Sequence, residues 1–323
     1  MQLPPPLRQA IAQELTACNS AQLHAAASKL SDAYRQSNAA QALATEAERA
    51  AYLAVRMPAT YAAVTHALRW TRERFPEEIH SALDLGSGPG TALWAASEAF
   101  PSLASCTAVE RNSQFAAVAR RMAQRCEHPA LRSAEWITGD ASVPQGSWDL
   151  VLCSYVLNEL SSAQRAVFLG SAWGRTAKLL VLIEPGTTAG FANILSARTQ
   201  LLRDGARIIA PCPNQQPCPM ASDDWCHFAA RVERTAEHRR LKDAELGHED
   251  EKFSYMAVVR DGCLTDDPDA ASNSARILRH PRIFSGYAQL TLCAEGKIAQ
   301  TTVTRSHKDD WRRLKRLGWG DRW

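Results

Sequence analysis

Three cysteines lie in a segment that has neither helical nor strand periodicity. In PCPNQQPCPMASDDWCHF, Cys212, Cys218 and Cys226 stand among prolines and amides, with gaps of five and seven residues between them. A segment this irregular buries little apolar surface, so nothing in its own composition offsets the entropy lost on ordering it. A metal ion, a metal cluster, disulfides or chance remain as explanations for the three thiols.

The bulk composition weighs against disulfides. The chain has 323 residues, nine cysteines, 46% hydrophobic residues and a net charge of +3, which allow an ordinary core and indicate no global polycation. The N-terminus shows no secretory leader, and no apolar run approaches the roughly 18 residues that cross a bilayer. We therefore expect a cytoplasmic protein of bacterial type, away from membranes, in a reducing compartment where thiols serve metals or catalysis.

A second chemical pattern is the glycine-rich stretch LDLGSGPGT. Its three glycines permit a tight turn and a close approach of the backbone to a ligand. A dinucleotide fingerprint would place a small residue at position 91, where this chain has Thr91. The pattern is instead D-x-G-x-G-x-G, which resembles motif I of class I S-adenosylmethionine-dependent methyltransferases. The resemblance assigns cofactor binding to Asp84, Gly86, Ser87, Gly88 and Gly90.

Two further acids support a nucleoside site. Glu110 ends the next strand candidate about twenty residues after the loop, where a carboxylate accepts hydrogen bonds from ribose hydroxyls. Asp140 ends the third strand candidate, where the methyltransferase family commonly contacts the adenine amino group. The alternative is that both acids are solvated strand ends.

The acceptor side of the expected pocket is less clear. No N-P-P-Y or D-P-P-Y tetrapeptide and no Pro-Cys nucleophile follows the fourth strand candidate. The weak candidates for a catalytic role are Asn158, Glu159 and Glu184. Nothing in these residues identifies an acceptor atom.

These residues require a scaffold, and the sequence predicts one in four parts. Residues 1–78 show helical periodicity, and residues 79–200 alternate strand candidates with helix-length segments, as in a mostly parallel α/β sheet. Residues 201–252 hold the cysteine segment and the charged, helix-like run RVERTAEHRRLKDAELGHEDEK. Residues 253–323 hold closing strands, a hairpin that turns at Glu295 and Gly296, and a basic tail.

A longer resemblance covers most of the chain from about residue 51. APCPNQQPCPM, DWCHF, HRRLKD, DEKFSYMAVVR and WGDRW resemble the methyltransferase-like family associated with the mitochondrial small ribosomal subunit. This resemblance implies a Rossmann-like class I methyltransferase fold with N-terminal helices and a Cys-bearing insertion. It also implies S-adenosylmethionine as cofactor and a role in assembly of the small ribosomal subunit.

The same resemblance implies a four-iron–four-sulfur cluster. Its ligands would be Cys212, Cys218, Cys226 and Cys293, with Cys263 as the competitor for the fourth place. From spacing alone, an iron–sulfur cluster, a zinc ion and no metal all stay open. Zinc sites usually pair cysteines two to four residues apart, whereas the ligands of a cubane cluster must be spread more widely around it. The other four cysteines fit buried thiols.

Basic residues gather in two stretches near the C-terminus. Cations bind phosphates, and the indoles of Trp311, Trp319 and Trp323 can stack on exposed bases; the alternative is a solvated charged helix. With the resemblance, we expect a monomer that binds the small ribosomal subunit and its rRNA, not DNA. The candidate RNA-binding residues are Arg231, Arg234, Arg239, Arg240, Lys242, Arg312, Arg313, Lys315 and Arg316.

Three function classes remain compatible with these patterns. One is methylation of small-subunit rRNA, and another is a non-catalytic assembly factor with a structural cluster. A small-molecule methyltransferase is the third, but it leaves the cysteines and the basic tail without a role. A cofactor pattern without an acceptor motif favours binding over chemistry.

Overall fold

The centre of the fold is an eight-stranded, mostly parallel sheet. A computed structural model of the protein describes residues 1–35, 43–140, 144–212, 214–242, 244–263 and 275–323. Five strands pair in parallel in the order β3-β2-β1-β4-β5. They are β1 (Ser81–Leu85), β2 (Ser105–Glu110), β3 (Glu135–Thr138), β4 (Trp148–Ser154) and β5 (Thr176–Pro185). Runs such as residues 179–183 are fully buried, as expected for strands covered on both faces.

One long antiparallel strand completes the sheet and fixes the cysteine segment. Strand β8 (His248–Val259) pairs with β5 on one edge and with both β6 (Arg207–Ala210) and β7 (Phe228–Glu233) on the other. Ala210 lies opposite Ala257, and Phe228 lies opposite Phe253. Four residues of one strand, or about 13 Å, therefore separate the two ends of the cysteine segment.

Helices cover the sheet and form the predicted N-terminal region. The mostly parallel α/β fold with N-terminal helices is confirmed. The N-terminal helices are α1 (Pro5–Leu15), α2 (Ser20–Arg35), α3 (Glu46–Val55) and α4 (Met57–Arg72). The helices around the sheet are α5 (Thr91–Ala99), α6 (Ser113–Ala123), α7 (Pro129–Arg132), α8 (Ser162–Gly174) and α9 (Thr188–Arg203). No helix in the described ranges is long and apolar enough to span a bilayer.

The C-terminal part forms a second, four-stranded antiparallel sheet. Its strands are β9 (Arg276–Ile277), β10 (Arg282–Ile283), β11 (Tyr287–Ala294) and β12 (Lys297–Thr304). The predicted hairpin is confirmed: Glu295 and Gly296 adopt φ of 49° and 71°, which suits a two-residue turn. One face of this sheet packs on helix α11 (Lys308–Leu314) through Trp311 and Leu314.

The charged run after the third cysteine is not one helix, and that prediction is wrong. Buried Ala230 and Val232 alternate with Arg231 and Glu233, which is the period-two pattern of β7 pairing with β8. Of the described residues between these strands, only α10 (Ala236–Leu241) is helical. The predicted division after residue 252 falls inside β8.

Candidate functional site

The glycine-rich turn joins β1 to α5 at the carboxyl edge of the parallel strands. Gly86, Gly88 and Gly90 have φ of 75°, 52° and 79°, a region that residues with a Cβ rarely adopt. A Cβ at Gly86 would lie 2.7 Å from Val156 Cγ2, and one at Gly90 would lie 2.6 Å from the Trp136 ring. A Cβ at Gly88 would have its nearest neighbour at 3.8 Å. The outer glycines are needed for packing, whereas Gly88 leaves room beside the backbone.

The three predicted acids lie at the ends of three adjacent strands. Asp84 is fully buried in β1, Glu110 ends β2, and Asp140 is exposed just beyond β3. The Glu110 carboxylate accepts hydrogen bonds from the amide N–H groups of Gly88 at 2.9 Å and Asn112 at 2.8 Å. The structure thus brings the predicted nucleoside-binding acids to one edge of the sheet.

Buried polar atoms beneath the turn lack partners. Burial, together with the charge of Glu110, raises the pKa of Asp84 to about 8. Neither carboxylate oxygen of Asp84 nor the hydroxyl of Ser87 has a hydrogen-bond partner among the described residues. Buried polar groups are rarely left unpaired in native proteins. These residues therefore fit a ligand that brings hydrogen-bond donors and positive charge, as S-adenosylmethionine does with its ammonium and sulfonium groups.

Glu184, a weak candidate for a catalytic role, is a buried residue whose hydrogen bonds stay within the chain. Its carboxylate is fully buried and accepts hydrogen bonds from Leu157 N–H at 2.9 Å and from Asn193 Nδ2 at 3.3 Å. Burial raises the pKa of Glu184 to about 7. It supports the short 3-10 turn Leu157–Glu159, on which Asn158 and Glu159 are exposed.

A polar network beside this turn was not predicted from the sequence. Tyr155 has a positive φ of 59°, and its hydroxyl donates to Glu251 Oε1 at 3.0 Å. The guanidinium of Arg56 donates to both Glu251 oxygens, at 3.3 and 3.1 Å. Desolvation and the Glu251 charge raise the pKa of Tyr155 well above its ordinary value. These residues come from the α3–α4 junction, the end of β4 and β8, so no local spacing indicates the network.

The predicted cysteine ligands meet at one cavity. Its lining includes Cys212, Cys218, Cys226 and Cys293. The cavity is partly open to solvent and offers about 40 Å³ to the centres of water-sized molecules. Cys263 lies elsewhere, with its Sγ 3.9 Å from the carbonyl oxygen of Ala177.

Strand pairing explains how a distant cysteine reaches this cavity. Cys293 in β11 lies opposite Arg276 of β9. The buried Arg276 guanidinium donates to the carbonyl oxygens of Pro211 at 3.0 Å and Gly320 at 2.6 Å. Arg276 therefore holds the small sheet against the start of the cysteine segment and against the C-terminal tail.

The cavity is electrostatically unfavourable for thiolates on their own. Burial raises the pKa of Cys226 well above its ordinary value and that of Cys293 to about 12. Burial also raises the pKa of Cys212, although the nearby Arg198 opposes this shift. No three Cys, His, Asp or Glu side chains in the described ranges converge closely enough to hold a single metal ion. Four thiols at one cavity are the donor set that holds iron–sulfur clusters, so the residues present fit that group.

The first basic stretch is largely engaged in ion pairs. Arg231 donates to both oxygens of Asp250 at 2.7 Å, while Arg234 and Lys242 contact Glu249 at 3.0 and 2.9 Å. Although burial opposes it, the neighbouring His238 ring and the cations Lys242 and Arg234 hold the pKa of Glu249 well below its ordinary value. The remaining two predicted residues of this stretch are exposed on α10: Arg239 and Arg240.

The second basic stretch lies on and just after α11. Arg312 pairs with Asp309 at 3.2 Å, Arg313 lies 5.2 Å from the Trp323 ring centroid, and Lys315 and Arg316 are exposed. Two of the three indoles that could stack on bases are engaged within the chain. Apolar packing buries Trp311, while Trp319 contacts the rings of His227 and His280 at 4.9 and 5.0 Å.

The strand order, the glycine-rich turn and the acids at adjacent strand ends define a class I methyltransferase-like α/β protein. The chain belongs to the Rsm22 family, because the family model described as mitochondrial small ribosomal subunit Rsm22 matches residues 46–323.

Curated relatives are longer than this chain. It is 28% identical over 298 residues to the human ribosome assembly protein METTL17, mitochondrial, a match that covers 86% of this chain and 62% of the relative. It is 25% identical over 330 residues to the mitochondrial Rsm22-cox11 tandem protein 2 of Schizosaccharomyces pombe, covering 86% of this chain and 43% of the relative. The chain thus spans only part of the length of these relatives.

Solved structures with a similar fold include two methyltransferases. Magnesium protoporphyrin IX methyltransferase from Synechocystis, solved with bound S-adenosylmethionine, has a TM-score of 0.42 and 13% identity, over 63% of this chain and 80% of that one. The glycopeptide N-methyltransferase MtfA has a TM-score of 0.41 and 13% identity, over 61% and 94% of the two chains.

The comparisons correct the predicted location. A cytoplasmic, bacterial-type protein was expected from the absence of a recognisable leader in the sequence. The matching family and the curated relatives from human and fission yeast are mitochondrial, which contradicts this expectation. The absence of a leader pattern was not a sound basis for assigning a compartment.

Proposed function

We propose that the chain binds S-adenosylmethionine and acts on the rRNA of the small ribosomal subunit as an assembly factor. The observation that carries the cofactor assignment is the buried, unpartnered carboxylate of Asp84 beneath the Gly88 turn. Membership of the Rsm22 family and the naming of METTL17 as a ribosome assembly protein support the ribosomal assignment.

The chain's own residues would hold the cofactor in distinct ways. Glu110 and Asp140 would contact the nucleoside, and the Gly88 backbone leaves space for a ligand to approach. Asp84 and Ser87 would supply the acceptors for the amino-acid part. When bound, S-adenosylmethionine supplies an electrophilic methyl group.

We further propose that an iron–sulfur cluster of the four-iron type connects the cysteine segment to the small sheet; zinc is the weaker alternative, because no three ligand side chains in the described ranges converge on a single ion. The proposed ligands are Cys212, Cys218, Cys226 and Cys293. Their shared cavity supports this set, as does the position of Cys263 away from it. A cluster held in this way would tie β11 to the segment between β6 and β7.

RNA contact is proposed for the exposed cations. Arg239, Arg240, Lys315 and Arg316 are available for phosphate contact, and Arg312 and Arg313 lie beside the last two. Arg231, Arg234 and Lys242 are weaker candidates, because carboxylates already engage them.

Methylation of the rRNA is the second candidate function. The proposed cofactor site is compatible with it, because bound S-adenosylmethionine would supply the methyl group. The exposed turn with Asn158 and Glu159 would then face the acceptor. A small-molecule methyltransferase would leave the cysteine cavity and the exposed cations without a role.

The experiment combines RNA crosslinking in cells with mapping of rRNA methylation. Wild type, Gly88→Arg and the matched control Gly88→Ala would each be expressed in cells that lack the gene. Both substitutions impose the same strain at φ 52°, but only arginine fills the space beside the turn. We expect wild type and Gly88→Ala to crosslink to small-subunit rRNA and to bind S-adenosylmethionine in calorimetric titration, and Gly88→Arg to lose the cofactor.

The outcomes separate the two functions. Unchanged methylation in the deletion cells, with crosslinks to small-subunit rRNA, selects the assembly factor. A methyl group that wild type and Gly88→Ala restore, but Gly88→Arg does not, selects the enzyme. The absence of any small-subunit rRNA among the crosslinks of wild type would refute both.

A further inference from the structure

One face of the small C-terminal sheet takes part in the sites proposed above only at its Cys293 end. Residues directly opposite in an antiparallel pair lie on the same face of a sheet. The open face is defined by Arg282, Tyr287, Gln289, Thr291, Cys293, Ile298, Gln300, Thr302 and Thr304. Its Cys293 end borders the cysteine cavity, and its opposite face packs on α11.

An aromatic pair stands at the far end of this open face. The rings of Phe284 and Tyr287 stack with centroids 4.7 Å apart and planes 17° apart, and the residues are 42% and 39% exposed. A tight turn fixes the pair, since Phe284 N–H donates to the Tyr287 carbonyl at 2.8 Å. Of the six large hydrophobic residues most exposed in the described ranges, four lie on this sheet: Ile283, Phe284, Tyr287 and Ile298.

The charges around the pair select one kind of partner. Arg282 is exposed on the open face beside the pair, opposite Gln289, whereas the Arg305 guanidinium lies on the other side of the sheet, 5.4 Å from the Trp311 ring centroid. Between residues 282 and 305 the sequence contains a single acid, Glu295, at the other end of the sheet. Stacked rings, amide and hydroxyl side chains and the Arg282 cation together suit unpaired bases with their phosphates, as on other sheets that bind single strands.

We propose that the open face binds a single-stranded segment of RNA, with one or two unpaired bases stacked on Phe284 and Tyr287. The inference rests on the proposed function in taking RNA as the partner, and it specifies an unpaired segment instead of a duplex. Arg282 contacts a phosphate. Gln289, Gln300 and Thr302 offer hydrogen bonds to base edges along the strand direction.

The test measures binding of a fluorescein-labelled 12-nucleotide oligouridine and of a duplex hairpin by anisotropy, with the full chain. We expect Phe284→Ala/Tyr287→Ala to weaken oligouridine binding by about 10-fold or more, because stacking carries that share of the affinity per base. The dependence of affinity on salt should stay unchanged. Arg282→Gln should instead flatten the salt dependence by about 0.7, the value for one lost phosphate contact on a single strand. Ile283→Ala is the control, since Ile283 is 61% exposed but lies opposite Ala288, off the open face.

Three results would overturn the inference. The first is that wild type and the aromatic variant bind oligouridine with equal affinity. The second is that wild type binds the hairpin more tightly than oligouridine. The third is that the open face gives RNase-resistant crosslinks to a protein. In each case rRNA crosslinks in cells would persist if the proposed function holds, since the basic helices are unaltered. An aromatic variant that loses RNA affinity while its melting temperature and S-adenosylmethionine affinity match wild type would support RNA binding at the open face.

Discussion

Cys293 and Cys263 are the two residues between which the sequence alone could not choose. Both follow the cysteine segment, and Cys263 is nearer along the chain. Strand β11 carries Cys293 to the cavity, whereas Cys263 follows β8 and sits against Ala177. Sequence distance was therefore a poor guide, because sheet pairing determines which residues approach each other.

The proposed ligand set predicts different effects of two single substitutions. Cys293→Ser should remove most of the bound iron and acid-labile sulfide from anaerobically purified protein, because one thiolate is lost, and should lower the melting temperature. Cys263→Ser is the matched control and should retain both. Metal and sulfide analysis of the two variants decides the matter, and the reverse ranking would exclude Cys293 as a ligand.

Single residues with a local pattern were predictable, and those without one were not. The glycines and Asp84 follow one another in a spacing that the backbone turn itself requires, so the turn after β1 could be predicted. Tyr155 and Glu251 are 96 positions apart and share no motif, so their hydrogen bond was not foreseeable.

Among the structural elements, β8 contacts both candidate sites. Its Glu251 holds Tyr155 and Arg56 beside the pocket, and its Ser254 hydroxyl donates to the Cys226 carbonyl at 2.8 Å. The Arg56 and Glu251 side chains are only 17% and 11% exposed. The ion pair therefore joins the N-terminal helices to the central sheet in a largely dry setting.

Removing the Glu251 charge should be more damaging than removing one hydrogen bond to it. Glu251→Gln removes the charge of the carboxylate that Arg56 contacts at 3.1 Å in a largely buried setting, and we expect a loss of about 3 kcal/mol in the free energy of unfolding. Tyr155→Phe deletes one hydrogen bond and should lose about 1 kcal/mol. Urea unfolding with matched slopes measures both, and equal losses would show that Arg56 does not depend on Glu251.

The strands of the core could be predicted, and those around the cysteine segment could not. Strands such as β5 are continuous apolar runs between helix-length segments, which gives a strong signal. Strand β7 is short and carries Arg231 and Glu233 on its exposed side, and arginines three positions apart looked helical. Its pairing with a strand later in the chain overrides that local pattern.

Across the whole molecule, cations are spread over separate elements instead of forming one basic helix. Arg239 and Arg240 lie on α10, whereas Lys315 and Arg316 follow α11. With a net charge of +3, only such local groups can attract phosphates.

Reversing the α10 pair should weaken RNA binding while sparing the cofactor pocket. For Arg239→Glu/Arg240→Glu we expect a lower affinity for small-subunit rRNA fragments. The affinity should also depend less on salt, because binding with fewer phosphate contacts releases fewer counterions. Arg125→Glu/Arg132→Glu, which alters two exposed cations near α7, is the charge-matched control. Filter binding at several salt concentrations would contradict the proposal if both variants lost affinity equally.

The late arrival of Cys293 has a consequence for biosynthesis. Three of the cavity's cysteines lie between β6 and β7. Both of these strands pair with β8, which is synthesised after them. Cys293 follows Cys226 by a further 67 residues. A nascent chain that has just exposed its third thiol therefore lacks the strand that closes the segment and the fourth thiol as well. Loading of a cluster on four cysteines can be completed only after the C-terminal hairpin has been translated, so maturation of the cluster would follow synthesis of nearly the entire described chain.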